Sequence, residues 1–408
     1  MFSVKSPRPL FISPIPRPEV TKTAALKGVE TIENELNELF LKRSTVIRSM
    51  IMAVLSGEHA VLLSDTGAAK TAITQALLKR LEGRTFQHQC AIRDTDIKFF
   101  GPIDATAYKD KGEYKRNTKN GIFLQEADWA FIDEIFDCPD QILRILLQIL
   151  NEGTFKEEDG AIHQTRLKTA FSAANYLRIN EVTRAVVDRF MFAPLIDENL
   201  SPIDMLQIGL MRERGLYDAP PERVLSLEEV KGIVEQARQI HIPTGILYLK
   251  NLAISRYNEG VDRKDRMLAR RAGKTDKTLK IQALLNGRNQ VIEMDLNVLQ
   301  LCMGPAVADK NNRSKMEAAI RGCLATYAGN SPQALQLQVL GAEIDGLLVA
   351  DNSEMAGIAE GIGVSATIPR TIQKGTENAV PWMVDRMNPC DVVIKNLRDY
   401  VLSKRISP

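Results

Sequence analysis

Short apolar runs alternate with amphipathic segments along the first half of the chain. The runs at 60–64, 129–133 and 169–175 have the length of buried strands, whereas 71–81 and 139–151 carry apolar residues at helical spacing. A turn containing glycine and threonine separates the first run from the first amphipathic segment. This order of strand, loop and helix predicts an α/β domain with a parallel sheet sandwiched by helices.

The second half of the chain shows a different pattern. Beyond about residue 200 the strand-like runs disappear and helical spacing dominates, as it also does over 23–55. Ser226 and Glu229 have the spacing of a capping box ahead of a helix, and residues 268–287 also have a helical pattern. Prolines near the start of the chain predict an extended arm. We therefore expect four parts: a proline-rich arm at 1–22, an α/β core at 23–200, an all-helical lid at 201–330, and a small C-terminal segment without an assignable role at 331–408.

Composition and charge narrow the class of protein. The 408 residues are 44% hydrophobic and 25% charged, which is ordinary for a globular protein with room for two or three domains. The net charge of +2 gives no global electrostatic argument for binding nucleic acid. No stretch of about 18 uncharged apolar residues is present, so we expect no membrane span. Prolines interrupt the start of the chain, where a signal peptide would have a continuous apolar core.

The cysteines bear on the cellular compartment. They lie far apart in the sequence and form no CxxC pair: Cys90, Cys138, Cys302, Cys323 and Cys390. An odd, scattered set favours reduced thiols over a disulfide framework or a zinc site. We therefore expect a cytoplasmic protein.

A candidate phosphate-binding loop lies between the first apolar run and the first amphipathic segment. It consists of Ser64, Asp65, Thr66, Gly67, Ala68, Ala69, Lys70 and Thr71. In such a loop, backbone N–H groups at a helix N-terminus surround phosphate oxygens. Lys70 would neutralise the β and γ phosphates of ATP, and Thr71 would place its hydroxyl on Mg²⁺. Ser64 and Ala69 replace both glycines of the GxxxxGK[ST] pattern, so an ordinary strand–helix turn remains the alternative.

A pair of carboxylates ends the second apolar run, about 60 residues downstream. Asp133 would help to hold Mg²⁺ together with Thr71, and Glu134 would polarise the attacking water. An acidic strand end facing solvent is the alternative interpretation of a single Asp-Glu pair. The order and spacing of the loop and the carboxylates favour the nucleotide-binding interpretation.

The surrounding residues carry a more specific pattern. The stretch 35–71 ends in LLSDTGAAKT, and it is followed by the series FGP, KGEYKR, DEIF and NEGTF, and then by AFSAAN and VVDRF. Over about residues 35–305 this series resembles the MoxR family of AAA+ ATPases, most closely its RavA branch. The resemblance implies an AAA+ core with a helix-2 insert and a pre-sensor-1 hairpin, followed by an all-helical lid. The family's loop commonly reads GxPGxAK[ST], which makes Ala69 expected there and leaves Ser64 and Asp65 as departures.

The resemblance also implies roles for two further residues. Asn175, at the end of the third apolar run, matches the sensor-1 asparagine, whose amide helps Glu134 to position water. Arg189, in the DRF motif, matches an arginine finger that acts on the ATP of a neighbouring subunit. A surface arginine paired with Asp188 is the alternative.

A sensor-2 arginine is expected in the lid. The NGR stretch at 286–288 resembles the family's (S/R)GR stretch, and this resemblance implies a sensor 2 at Arg270, with Arg271 as the alternative and Arg263 and Arg266 as weaker candidates. The family's usual serine-containing motif is absent here, and a basic helix face without function would explain all four arginines.

Two insertions match the family pattern. Residues 103–124 correspond to the helix-2 insert, and residues 153–169 predict a hairpin that turns at Asp159-Gly160. The first insert is basic, although Asp110 and Glu113 dilute its charge. Its basic residues are Lys109, Lys111, Lys115, Arg116 and Lys119. A solvated charged hairpin and a nucleic-acid contact are both compatible with this composition.

The resemblance implies a ring of subunits, most simply a hexamer, that uses ATP and Mg²⁺ to remodel a protein partner. A protein with a von Willebrand factor A domain is the expected partner. The alternatives are an ATP-gated scaffold with negligible hydrolysis, a nucleic-acid motor like the MCM helicases, and a metal-insertion subunit.

Overall fold

The computed structural model describes residues 22–326, with the exception of 65–68, 112–115, 119–120, 157–159, 161, 176–180, 195, 197–199, 305 and 307–309. The chain divides into two compact units. In the smaller unit the described residues are 242–252 and 321–326. All contacts discussed below lie within the larger unit, which contains residues 17–241 and 253–320.

A five-stranded parallel sheet forms the core of the larger unit. The strands in the described residues are β1 (His59–Leu63), β2 (Thr85–Gln89), β3 (Trp129–Asp133), β4 (Thr154–Lys156), β5 (Ile162–Gln164), β6 (Thr169–Ala174) and β7 (Phe190–Phe192). The sheet order is β2-β3-β6-β1-β7, and every neighbouring pair is parallel. All residues of β1 and β6 are buried, as continuous apolar runs covered on both faces should be. The predicted α/β fold class is confirmed.

Helices accompany the strands in the described residues. They are α1 (Ala24–Leu39), α2 (Ser44–Ser56), α3 (Lys70–Leu78), α4 (Asp96–Phe100), α5 (Ala105–Lys111), α6 (Asp140–Glu152), α7 (Glu181–Val187), α8 (Pro202–Glu213), α9 (Leu227–Arg238), α10 (Thr244–Glu259), α11 (Ala269–Leu285) and α12 (Lys310–Thr326). The helical pattern over 23–55 is two helices, because Lys42 between α1 and α2 has a left-handed backbone with φ of 57°.

The region after residue 200 is helical, as the sequence predicts. From Ser201 to Thr326 the described residues contain α8 to α12 and no strand. The capping box at the start of α9 is present: the Ser226 hydroxyl accepts from the Glu229 N–H at 3.1 Å, and the Glu229 carboxylate accepts from the Ser226 N–H at 2.9 Å. The domain boundaries at 22, 200 and 330 stay predictions, and the arm at 1–21 and the segment at 331–408 lie outside the described residues.

Both expected insertions are recognisable. β4 and β5 form an antiparallel hairpin, and Gly160 of the predicted turn has φ of 91°, whereas Asp159 lies outside the described residues. The first insert contains α5. Its Arg116 is not a free surface charge, because it pairs with Asp96 at 2.9 Å and donates to the Gly101 carbonyl at 3.0 Å. Arg116 therefore fastens the insert to the core.

The cysteine prediction was wrong for one pair. Cys90 and Cys138 form a disulfide, with their Cα atoms 5.2 Å apart. Cys90 follows β2 and Cys138 lies just beyond β3, and these two strands are neighbours in the sheet. The pairing was not visible in the sequence because β2, an edge strand with polar residues, was not predicted. Cys302 and Cys323 are both buried.

Among the described residues, no helix is long and apolar enough to cross a membrane. The cytoplasmic location stays a prediction, and one of its arguments, the reduced state of all cysteines, does not hold for Cys90 and Cys138.

Candidate active site

The candidate site lies at the carboxyl edge of the parallel sheet, where β1, β3 and β6 end. Ser64 follows β1, Glu134 follows β3 and Asn175 follows β6. Parallel strands direct their carboxyl ends to one edge, so residues far apart in the sequence meet there. The loop after β1 leads into α3, whose N-terminus adds partial positive charge. Asp65, Thr66, Gly67 and Ala68 of the predicted loop lie outside the described residues.

Lys70, the first residue of α3, is buried at the centre of this edge, with 7% of its surface exposed. Its ammonium group donates to the carbonyls of Ser64 at 2.8 Å and Ala174 at 3.4 Å, and to the Asn175 side-chain oxygen. Ala69 before it is left-handed, with φ of 63°. The loop therefore keeps a glycine-like backbone at Ala69 and holds a positive charge between β1 and β6.

Thr71 and Asp133 supply oxygen atoms beside this lysine. The Thr71 hydroxyl donates to the Asp133 carboxylate at 3.1 Å. The other Asp133 oxygen accepts from the Glu134 N–H at 3.1 Å. A hydroxyl and one carboxylate suit Mg²⁺, which prefers oxygen ligands and takes the rest of its coordination from water and phosphate. The two residues therefore fit the predicted metal role.

Glu134 is held in an unusual conformation. Its φ of 50° is left-handed, which is uncommon for a residue with a side chain. Its carboxylate accepts from the Asn175 N–H at 3.3 Å and from the Asn175 side-chain amide. Burial raises the pKa of Glu134, the Asn175 N–H opposes this change, and the charge of Asp133 adds to it. Backbone strain concentrates at functional sites, so this conformation makes Glu134 a candidate functional residue.

Arg189 lies away from this edge, in the turn between α7 and β7. Its guanidinium donates to the Asp188 carboxylate at 3.1 Å, and 16% of its side chain is exposed. Its Nε is buried and has no hydrogen-bond partner among the described residues. Burial lowers the pKa of Arg189, and the neighbouring charge of Arg270 lowers it further. The pairing with Asp188, the alternative from the sequence, is thus observed. It involves one terminal nitrogen of the guanidinium and not the Nε.

Arg270 and Arg271, the two sensor-2 candidates, lie beside Arg189. Arg270 is exposed and donates to the Asn151 side chain at 3.3 Å. Arg271 instead donates to the backbone of the turn that carries Arg189. Among the described residues, no hydrogen bond or ion pair joins these three arginines to Lys70 or Glu134. The weaker candidates Arg263 and Arg266 are exposed, and Arg263 lies in a single 3-10 turn.

The structure therefore brings most predicted site residues together in one group and the arginines in another. The first group contains Ser64, Ala69, Lys70, Thr71, Asp133, Glu134 and Asn175. The second contains Arg189, Arg270 and Arg271. Sequence reasoning missed Gly304, which lies against Arg271 in the second group. A glycine more than 30 residues from its contact leaves no local pattern from which it could be found.

Known families match both halves of the described chain. A model of the MoxR domain in MoxR–vWA–β-propeller ternary systems matches residues 27–223, and an AAA lid model matches residues 253–316. An uncharacterised protein of Methanocaldococcus jannaschii is 30% identical over 277 residues, covering 67% of this chain and 70% of the relative. A second uncharacterised protein of that organism is 29% identical over 272 residues, covering 67% and 69%.

More distant similarity extends to a virus and to a solved structure. A structural protein of Acidianus two-tailed virus is 25% identical over 210 residues, which are 48% of this chain and 33% of the viral protein. A candidate ATPase from Cytophaga hutchinsonii superposes with a TM-score of 0.58 at 14% identity, covering 74% of this chain and 94% of that one, and therefore shares the fold. With the parallel sheet and the helical lid, these matches show that the chain belongs to the MoxR family of AAA+ ATPases.

Proposed function

We propose that the chain hydrolyses ATP as one subunit of a ring, and that it uses the energy to remodel a protein partner. The observation that carries the proposal is the set of contacts at the sheet edge, in which Lys70, Asp133, Glu134 and Asn175 converge. Such a set has a cation for phosphate, oxygen ligands for a metal, and a carboxylate held by an amide. The family match supports the same activity.

In this proposal, each residue at the carboxyl edge of the sheet has one role in ATP hydrolysis. Lys70 leaves its protein oxygens and binds the β and γ phosphates of ATP, which are stronger partners for a buried ammonium group. Thr71 and Asp133 would hold Mg²⁺, which would neutralise phosphate charge. Glu134 accepts the proton of the attacking water, and its raised pKa strengthens it as a base. Asn175 orients the Glu134 carboxylate toward that water.

The arginine group completes the site of a neighbouring subunit in our proposal. Among the described residues, no hydrogen bond or ion pair joins Arg189 or Arg270 to Lys70 or Glu134 of the same subunit, and the buried Arg189 Nε has no hydrogen-bond partner. An arginine supplied in trans stabilises charge on the γ-phosphoryl oxygens in the transition state. Arg270, which lies beside Arg189, would contact the same nucleotide of the neighbouring subunit. This division of the site between subunits is the reason to propose a ring, with six copies expected.

The partner in this proposal is a protein with a von Willebrand factor A domain. The matched family model is described for MoxR–vWA–β-propeller ternary systems, which supports this partner class. Hydrolysis would change the position of the lid and of the two insertions, and so act on the partner in a chaperone-like way. The placement in the RavA branch stays a prediction.

Steady-state ATP hydrolysis measured over a range of protein concentrations tests the proposal. Turnover per subunit should rise cooperatively as rings assemble. Glu134→Gln should lower turnover about 100-fold or more, and Arg189→Ala about 1000-fold. Arg184→Ala is the matched control, because Arg184 is exposed on α7 in the same region. Its turnover should stay unchanged.

Two other outcomes would redirect the assignment. Nucleotide binding without turnover at any concentration would contradict the motor and favour the ATP-gated scaffold. Tight binding of single-stranded DNA with a steep salt dependence would favour a nucleic-acid motor.

A further inference from the structure

Arg271 makes an uncommon set of contacts between the lid and the core. It lies at the start of α11, and 11% of its side chain is exposed. Its guanidinium donates to the Phe190 carbonyl at 2.9 Å and to the Asp188 carbonyl at 3.1 Å. These are the two carbonyls on either side of Arg189. The lid therefore holds the backbone of the Arg189 turn directly.

The side chain of Asp188 adds a second connection. One of its oxygens accepts from Arg271 at 3.2 Å, and the other accepts from Arg189 at 3.1 Å. A single carboxylate thus bridges the two guanidinium groups. The bridge fixes the direction of Arg189 while its Nε stays without a partner among the described residues.

The packing around Arg271 leaves space for its guanidinium. Gly304, which follows the 3-10 helix Glu293–Gln300, lies against it. A Cβ atom added at Gly304 would lie 1.7 Å from an Arg271 nitrogen, far inside contact distance. Only a residue without a side chain allows the guanidinium to occupy this position. Two separate parts of the lid, the start of α11 and Gly304, therefore contribute to the contact with the Arg189 turn.

We propose that Arg271 is a positioning residue that sets the Arg189 turn from the lid, so that the position of the lid in one subunit controls hydrolysis in the next. The inference rests on the proposed role of Arg189 in trans. Arg271 contacts backbone on both sides of Arg189 and does not act on nucleotide itself. An arginine suits this task because its planar fork donates to several oxygens at once, whereas a lysine donates from one point.

Arg271→Ala, Arg271→Lys and Lys274→Ala should be compared for turnover and for ATP binding. Lys274 is the matched control: it lies on the same helix and also joins lid to core, through Glu58 at 2.6 Å, but it does not contact the Arg189 turn. Arg271→Ala should lower kcat about 100-fold, because a displacement of about 1 Å in a catalytic group has an effect of this size. Arg271→Lys should recover part of the loss. Binding of ATP and thermal stability should match those of Lys274→Ala.

Epistasis separates positioning from direct contact with nucleotide. If Arg271 acts through Arg189, the double variant Arg189→Ala, Arg271→Ala should hydrolyse ATP within about twofold of Arg189→Ala alone. A further tenfold loss in the double variant would overturn the inference. Mixing Arg271→Ala with Glu134→Gln should restore turnover, because the intact Arg189 of the second chain serves the intact Glu134 of the first. Failure to recover would show that Arg271 serves its own nucleotide.

The proposed function and this inference fail in different ways. Normal turnover in Arg189→Ala would refute the role of Arg189 in trans. A loss in Arg189→Ala together with normal turnover in Arg271→Ala would refute only the positioning role of Arg271.

Discussion

His59 should make the stability of the sheet depend on pH. It lies buried at the start of β1 and contacts two other elements, α6 and β6. Its Nδ1 accepts from the Ala170 N–H at 3.1 Å, and its Nε2 lies 3.0 Å from the Leu150 carbonyl, to which it donates. These partners require the neutral ring with the proton on Nε2. Burial lowers the pKa of His59 from 6.5 to about 4, the Leu150 carbonyl opposes this change, and the charge of Lys274 assists it.

The direction of the effect follows from proton binding. Between pH 6.5 and about 4 the unfolded chain binds a proton at His59 that the folded chain does not. The contribution is therefore fully present above pH 6.5 and is lost as the pH falls toward 4. The gap between the two pKa values corresponds to at most about 3 kcal/mol in the free energy of unfolding.

Urea denaturation followed by tryptophan fluorescence, to which Trp129 contributes, measures this contribution. Trp129 is buried and pairs with Thr169 in the sheet, next to the amide that His59 binds. The urea midpoint of the unmodified chain should fall between pH 6.5 and 4.5. His59→Gln removes the titrating group, so its midpoint should be lower at pH 7 but should change less over that range. An equal pH dependence in both chains would refute the reasoning.

Three further predictions concern the loop and the lid. Thr71→Ala removes a proposed metal ligand, so the Mg²⁺ concentration for half-maximal turnover should rise about tenfold; an unchanged requirement would contradict that role. Ala69→Gly removes the strain of a left-handed alanine, whereas Ala72→Gly weakens α3. In thermal denaturation, the free energy of unfolding of Ala69→Gly should exceed that of Ala72→Gly by at least about 1 kcal/mol. Ser226→Ala removes the cap of α9 and should cost about 1 kcal/mol by the same measurement, with Ser226→Asn near neutral.

The central strands could be predicted because they are buried on both faces and have continuous apolar runs. The run at 129–133 matches β3 residue for residue, and the run at 169–175 extends one residue beyond β6. The edge strands β2 and β7 escaped prediction, since one mixes polar residues with apolar ones and the other has three residues. Apolar patterning records burial, so it carries less information at the edges of a sheet.

The site shows a similar division. The grouping of Lys70 with Glu134 and Asn175 follows from parallel topology once the strands are known. The contact of Arg271 with the Arg189 turn depends on how α11 packs against the core, for which the sequence has no local signature. The disulfide could not be predicted for the same reason, because its cysteines meet only through strand pairing.

The disulfide between Cys90 and Cys138 determines how proteolytic cleavage of the chain can be detected. It closes a loop with a sequence separation of 48, which includes β3 and the first insert. A protease that cuts the exposed surface of the insert, near Tyr108, would leave two fragments on one covalent framework. They would migrate as a single band until a reductant is added. Proteolytic damage in this region would therefore stay hidden on a non-reducing gel.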